Sequence, residues 1–287
     1  MPNPMPVPDP PAEPARMRVV LEITPPALPR LEVLRRRARL LGDPTRVVNV
    51  ISRPDRWASL DAAIALRAEG FDPVWHLTPR GRSAAEIEAA IERAARAGVR
   101  RVLCLRGERV GPESVGDLKI RDVVARVRSL IPDASIGVTL NHHLPDPGVW
   151  PNLLGKLAAG ADFVQTQVTF DLRGLRSIGG SLARRHPGVA LIPMLYPVLS
   201  ADAARAAARR LGIPLDQTLH RDLERHGECA GWRALGERLR EIRDSEGFDT
   251  AALMTPIDPS PPYAARLRAI VASVESGEGS ARCVSSQ

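Results

Sequence analysis

The chain has 287 residues, 44% of them hydrophobic, which is enough for one barrel-sized core or two small ones. No apolar run reaches the roughly 18 residues that cross a bilayer, and the proline-rich start lacks the basic and apolar regions of a signal peptide, so a cytoplasmic setting with no membrane partner is expected. The formal charge is +7, but aromatics are only 3% and the arginines lie scattered among acids; this speaks against a nucleic-acid partner and leaves anionic small molecules as the ligands steered by the charge.

Residues 1–16 have no hydrophobic periodicity and read as a disordered, Pro-rich tail. A strand follows at 18–24, stopped by Pro25-Pro26, then a helix at 28–41, a strand at 46–51 and a helix at 59–69 ended by Gly70. The next strand, 72–78, closes on His76 and Thr78. Ser83 stands three residues before Glu86, the spacing of a capping box, and Ile87, Ala90, Ile91, Ala94 and Ala95 continue as one helical stripe to Gly98. The strand at 100–108 closes on Arg106, Gly107 and Glu108. Helices are then expected at 117–130, 150–159, 172–184 and, behind a Ser200 cap, 201–211; strands alternate with them at 135–140, 162–167 and 189–195. Two extra helical stretches, 214–225 and 231–244, precede a last strand at 250–254 and a last helix at 262–274.

Eight strand-then-helix units imply a parallel sheet, and that number favours a closed (β/α)8 TIM-type barrel over a doubly wound open sheet. The expected organisation is one catalytic barrel over 17–275, with extra helices before its last strand and a polar tail at 276–287. Cys104, Cys229 and Cys283 have neither metal nor redox spacing, and Cys104 belongs to a buried strand.

In such a barrel the C-terminal strand ends form the site. Those positions hold Glu22 and Thr24; Asn49 and Ser52; His76 and Thr78; Arg106, Gly107 and Glu108; Asn141, His142 and His143; Gln165 and Gln167; Tyr196; Thr255 and Asp258. Glu22 stands out because it lies between Leu21 and Ile23 in an apolar strand. It is either a structural partner of an arginine or a carboxyl in the barrel mouth, where burial would raise its pKa and suit it to acid catalysis. His76 by itself reads as a core histidine. Adjacent His142 and His143 are expected to point apart, and no metal spacing includes them, so no metal is expected. Asn152 and Lys156 are four apart and share a helix face.

Several segments together resemble the methylenetetrahydrofolate reductase family. Leu21-Glu22-Ile23-Thr24-Pro25-Pro26 is similar to its opening Phe-Glu-Phe-x-Pro-Pro, and Leu105-Arg106-Gly107-Glu108 to its Leu-Arg-Gly-Asp. The segment from Asn152 through Lys156 and Gly160-Ala161 to Thr166-Gln167 and Phe170-Asp171 follows the family's Asn-Leu-x-x-Lys-x-x-x-Gly-Ala-x-x-x-x-Thr-Gln-x-x-Phe-Asp. His76-Leu77-Thr78 and Pro193-Met-Leu-Tyr-Pro197 extend the likeness over roughly residues 18 to 275.

The resemblance implies a flavoprotein oxidoreductase of one-carbon metabolism, on the route to methionine biosynthesis. Such an enzyme reduces 5,10-methylenetetrahydrofolate to 5-methyltetrahydrofolate, with NAD(P)H as co-substrate and FAD as hydride carrier. It implies Glu22 and Glu108 as catalytic residues. His76, Thr78, Leu105, Arg106, Gly107, His143, Asn152 and Lys156 are implied at the cofactor, and Gln167, Glu108 and Thr255 at the folate. The sequence departs from the pattern at Ile51-Ser52-Arg53, where the family has Thr-Tyr-Gly, and at Asn141-His142-His143, where a tyrosine is common. Those departures keep two other readings open: a different C1-folate enzyme (a flavin-free reductase, methyl transfer or demethylation) and a non-catalytic folate-binding or partner homologue. A homo-oligomer and a partner protein both stay open.

Overall fold

The computed structural model describes residues 17–42, 47–107, 118–144, 149–245 and 247–277. Its strands are β1 (Arg18–Ile23), β2 (Val47–Val50), β3 (Asp72–Leu77), β4 (Arg101–Cys104), β5 (Ser135–Leu140), β6 (Phe163–Val168), β7 (Ala190–Leu195) and β8 (Thr250–Met254). They pair in parallel, in chain order, and the last closes on the first, with Arg18 opposite Thr250 and Glu22 opposite Met254. The expected (β/α)8 barrel is therefore the fold. Closure leaves no unpaired edge.

The helices α1 (Leu31–Ala38), α2 (Ser59–Ala68), α3 (Ala84–Arg96), α4 (Ile120–Leu130), α5 (Val149–Ala158), α6 (Arg173–Arg185), α7 (Ala201–Leu211), α8 (Gln217–Arg243) and α9 (Pro261–Glu275) surround it. Local chemistry sets their ends. At α3 the Ser83 hydroxyl accepts from Glu86 N–H while the Glu86 carboxylate accepts from Ser83 N–H, the expected capping box. At α7 the Ser200 hydroxyl accepts from Ala203 N–H, and Gly212 ends the helix in the left-handed conformation that glycine adopts without a Cβ penalty. The main core lies between strands and helices, where Leu34, Leu66, Ile91, Val124, Leu153, Leu175 and Leu267 are buried. Among the described residues, no helix is long and apolar enough to cross a membrane.

The two expected helical stretches, 214–225 and 231–244, are present as two helical runs within α8, separated by a kink at Gly227 (φ 54°, ψ −138°). One expectation is corrected. The strand expected at 100–108 stops at Cys104, because the following Leu105, Arg106 and Gly107 are loop. Cys104 itself is buried as expected, and burial pushes its thiol up to about 12, leaving it an inert core residue. The expected tail at 1–16, and all but residues 276–277 of the tail expected at 276–287, including Cys283, lie outside the described residues.

The N-terminal end of the barrel is held by long polar side chains. Arg128 of α4 donates to the carbonyls of Pro132, Ala134 and Gly160 and to the Asp162 carboxylate, which also accepts from Ile136 N–H. One guanidinium thereby ties the β5 and β6 entry loops together. Inside this end is a cavity of about 760 Å3 that reaches up the lumen to Asn49 and Gln165.

Phe163 borders the same cavity and crosses the face of Gly137 on the neighbouring strand; a Cβ on Gly137 would lie 2.1 Å from the Phe163 ring. Gly137→Ala is expected to destabilise the fold by about 1–3 kcal/mol, because the ring must swing into the cavity. Denaturant unfolding of G137A, F163L and the double variant checks this: F163L should recover much of the loss, and strict additivity would contradict the contact.

Candidate active site in the barrel mouth

After Arg18 at its start, β1 is apolar apart from Glu22, whose side chain turns into the lumen. Its half-buried carboxylate accepts from Gln165 Nε2 on β6 at 3.5 Å, and Gln165 Oε1 accepts from Asn49 Nδ2 on β2 at 2.7 Å. Neither β1 nor β2 neighbours β6, so both bonds cross the lumen. Burial raises the Glu22 pKa to about 7, and the Gln165 bond and the charge of Arg53 only partly oppose that rise. Near neutral pH this carboxyl can hold or release a proton, as a general acid must.

Two cation-lined clefts flank the C-terminal ends of β3, β4 and β5. One, of about 620 Å3, is lined by His76, Thr78, Gly107, Ser52 and Arg53. The other, of about 660 Å3, is lined by Arg106, Asn152, Lys156 and Thr139. Arg80 borders both, so they form adjoining parts of one mouth. Six of the eight residues expected at a cofactor therefore line these clefts, and Leu105 lies in the turn between them, its N–H donating to the Leu77 carbonyl.

His76 is buried, its Nε2 has no hydrogen-bond partner, and burial lowers its pKa to about 3, so it is a neutral imidazole at any working pH. Gly107 has φ +80°, and a Cβ there would come within 3.1 Å of Thr78 Cγ2; glycine lets the turn press against β3. Thr78 is 3.3 Å from the Ser52 hydroxyl. Lys156 donates to the Thr139 carbonyl at 3.2 Å, and burial lowers its pKa.

Gln167, Thr255 and His143 do not line these two clefts. The Gln167 carboxamide oxygen accepts from Val168 N–H on its own strand, and the pairing of β6 with β7 slips between Gln165 and Val168. Thr255 lies apart, in a cleft of about 400 Å3 with Thr24, Arg37 and Asp258. There the Arg37 guanidinium bridges the Thr24 carbonyl and the Asp258 carboxylate. His142 and His143 do not point apart: a turn, not a strand, carries them, and their rings lie 3.9 Å apart at 41°. His143 Nε2 is 2.8 Å from the Val168 carbonyl, and burial together with His143 lowers the His142 pKa to about 4. Glu108 lies outside the described residues. Among those described, no cluster of three or more His, Cys, Asp or Glu could hold a metal ion.

Sequence reasoning placed Asn49 and Gln165 at strand ends but gave them no role. For Asn49 the available signal was the same as for Glu22, a lone polar residue inside an apolar strand; Gln165, followed by Thr166 and Gln167, carries no such signal.

Residues 54–228 match the family model described as methylenetetrahydrofolate reductase. No curated protein matches the chain in sequence. Among solved structures, it is similar to an uncharacterized protein from Clostridium thermocellum described as binding two copies of 5-methyl-5,6,7,8-tetrahydrofolic acid. That likeness has a TM-score of 0.65 at 12% identity, covering 92% of this chain and 96% of the other. A phosphonopyruvate hydrolase aligns with a TM-score of 0.49 at 12% identity, over 91% of this chain and 80% of its own.

Proposed function

Because the chain belongs to the methylenetetrahydrofolate reductase family, we propose that it reduces 5,10-methylenetetrahydrofolate to 5-methyltetrahydrofolate with hydride from NAD(P)H, using FAD. The observation that carries this reading is Glu22: a carboxyl turned into the lumen, held near neutral pKa, beside two cation-lined clefts. The folate described with the Clostridium thermocellum protein is in keeping with a C1-folate ligand.

The clefts fit a flavin dinucleotide in three respects. His76 Nε2 is buried at one cleft without a partner, Gly107 leaves backbone open where a Cβ would crowd Thr78, and Arg106 and Lys156 place two cations on the other cleft. In this reading His76, Thr78, Leu105 and Gly107 hold the flavin side. Arg106, Asn152 and Lys156 take the pyrophosphate and ribose, with the cations matched to phosphate oxygens. His143 closes the site from the β5 side. FAD, when bound, supplies the two-electron carrier between NAD(P)H and folate.

Glu22 gives its proton to folate N10, which opens the five-membered ring and leaves the methylene carbon ready to accept hydride. Gln165 holds the carboxyl in place during that transfer. Gln167 and Glu108, from the family motifs, contact the pterin.

Titrating the purified, flavin-depleted chain with FAD tests the reading. A flavin absorption band that stays with the protein through gel filtration is expected, together with NAD(P)H oxidation that depends on methylenetetrahydrofolate. R106E combined with K156E should weaken FAD retention by at least tenfold. A protein that takes up no FAD would sink the flavin mechanism, and NAD(P)H oxidation without FAD would replace it with direct hydride transfer.

A further inference from the structure

The bond between Asn49 and Gln165 lies outside every motif that places the chain in its family. In the pattern given above Gln165 occupies an unspecified position, and Asn49 lies in none of the quoted segments. Both amides are buried, both face the lumen, and both border the cavity that enters from the N-terminal end of the barrel. From their geometry we infer that Asn49 and Gln165 are a coupled pair of positioning residues, which turn over together to match the charge state of Glu22. The inference rests on the proposed role of Glu22 as the acid.

A carboxamide has a donor at one end and an acceptor at the other, in nearly the same shape. In the arrangement seen, Asn49 Nδ2 donates to Gln165 Oε1, and this turns Gln165 Nε2 towards the Glu22 carboxylate. This arrangement serves the charged form. The protonated form needs an acceptor for its own O–H. Reversing both amides provides one: Gln165 Nε2 then donates to Asn49 Oδ1, and Gln165 Oε1 accepts from the carboxylic acid. Every hydrogen bond is kept in both arrangements. The far end of the pair borders a cavity of about 760 Å3, where water can pair with either an N–H or a carbonyl. A buried acid that gives up and regains a proton in each turnover needs such a pair, because an unpaired polar group in the lumen is costly in whichever state lacks its partner.

The surroundings leave this role to the amides. Among the described residues, Arg53, after β2, is the charged group acting on Glu22. At the same height β8 presents Met254 and β2 presents Asn49 itself. His76 on β3 stays neutral.

The test reads Glu22 directly. The carboxyl signal, by carbon-13 NMR of the full chain labelled at glutamate and assigned by its loss in E22Q, is followed against pH in wild type, Q165L, N49L and N49S. Wild type should titrate near neutrality. Q165L should titrate upward by about one pH unit or more, because the carboxylate loses its donor. N49L should shift the same way by less, because Gln165 is no longer held. N49S, whose hydroxyl can donate or accept, should return close to wild type. The falling limb of the folate-reduction pH profile should move with these shifts while KM for NAD(P)H does not.

Unshifted titrations in Q165L and N49L, with circular dichroism unchanged, would overturn the couple even if E22Q abolishes turnover. Shifted titrations with full folate reduction by E22Q would leave the couple standing and remove the acid role instead.

Discussion

Glu22→Gln is expected to lower folate reduction by about 10²–10⁴-fold, the range a positioned general acid supplies, while NAD(P)H oxidation with an artificial electron acceptor continues. The two half-reactions separate because only the folate step needs a proton at N10. In wild type the folate step should slow as pH rises through about 7, where the Glu22 carboxyl loses its proton. E22Q should show no such limb. The same residue predicts a stability effect of defined sign. Its folded pKa lies above that of the free side chain, so between pH 4.5 and about 7 the folded state retains a proton that the unfolded chain has released. Stability therefore falls as pH rises across that window, by up to about 3 kcal/mol. E22Q lacks this penalty, so it should match wild type near pH 4 and exceed it at pH 8. Thermal unfolding at the two pH values checks the difference, and a variant less stable than wild type at pH 8 would contradict the burial argument.

Gly231→Ala is expected to be the most damaging small substitution in α8, at about 3–5 kcal/mol. A Cβ at Gly231 would lie 2.1 Å from the Val198 carbonyl oxygen and 3.1 Å from Leu199 Cα. These are backbone atoms in the segment after β7, so no rotamer change can clear them. The helix must lift away from a cluster that includes Val198, Leu219, Leu223 and Ala230. Alanine's better helix propensity offsets only about 1 kcal/mol of this. Gly236 in the same helix provides the control, because its added Cβ would meet the flexible end of Arg240 at 3.5 Å and Ile270 Cγ2 at 3.7 Å, both ordinary van der Waals distances. G236A should be neutral or slightly stabilising. Urea unfolding of both variants decides the matter, and equal midpoints would mean that the close approach at Val198 carries no energetic weight.

The periodic parts of this fold were legible in the sequence. β5, α7 and β8 have the bounds that alternation and capping predict, because their signals are local: an apolar run, a serine cap, a glycine stop. The two helical stretches before β8 were legible as well, and Gly227 is the kink between them. The mouth was less legible. Period-two alternation assigns faces only while the ladder stays in register, and the slip between Gln165 and Val168 breaks it just where Gln167 had to be placed. The bond between Asn49 and Gln165 spans 116 positions and exists only because the barrel closes. His142 and His143 meet because a turn overrides the divergence that a strand would impose. Glu22 was found because a carboxylate among apolar neighbours is a local anomaly.

The pairing of β1 with β8 has a consequence for the chain while it is being made. The first strand begins at Arg18 and its closing partner at Thr250, so almost the whole sequence must be synthesised before the seam can form. At about 5–20 residues per second, β1 waits roughly ten to fifty seconds for β8. During that interval β1 and β7 are both raw edges of an open, apolar sheet, able to pair with a neighbouring nascent chain. Arrest before residue 250 would leave that state permanent, so fragments ending there should partition into aggregates and bind chaperones, even though seven of the eight strands are already present.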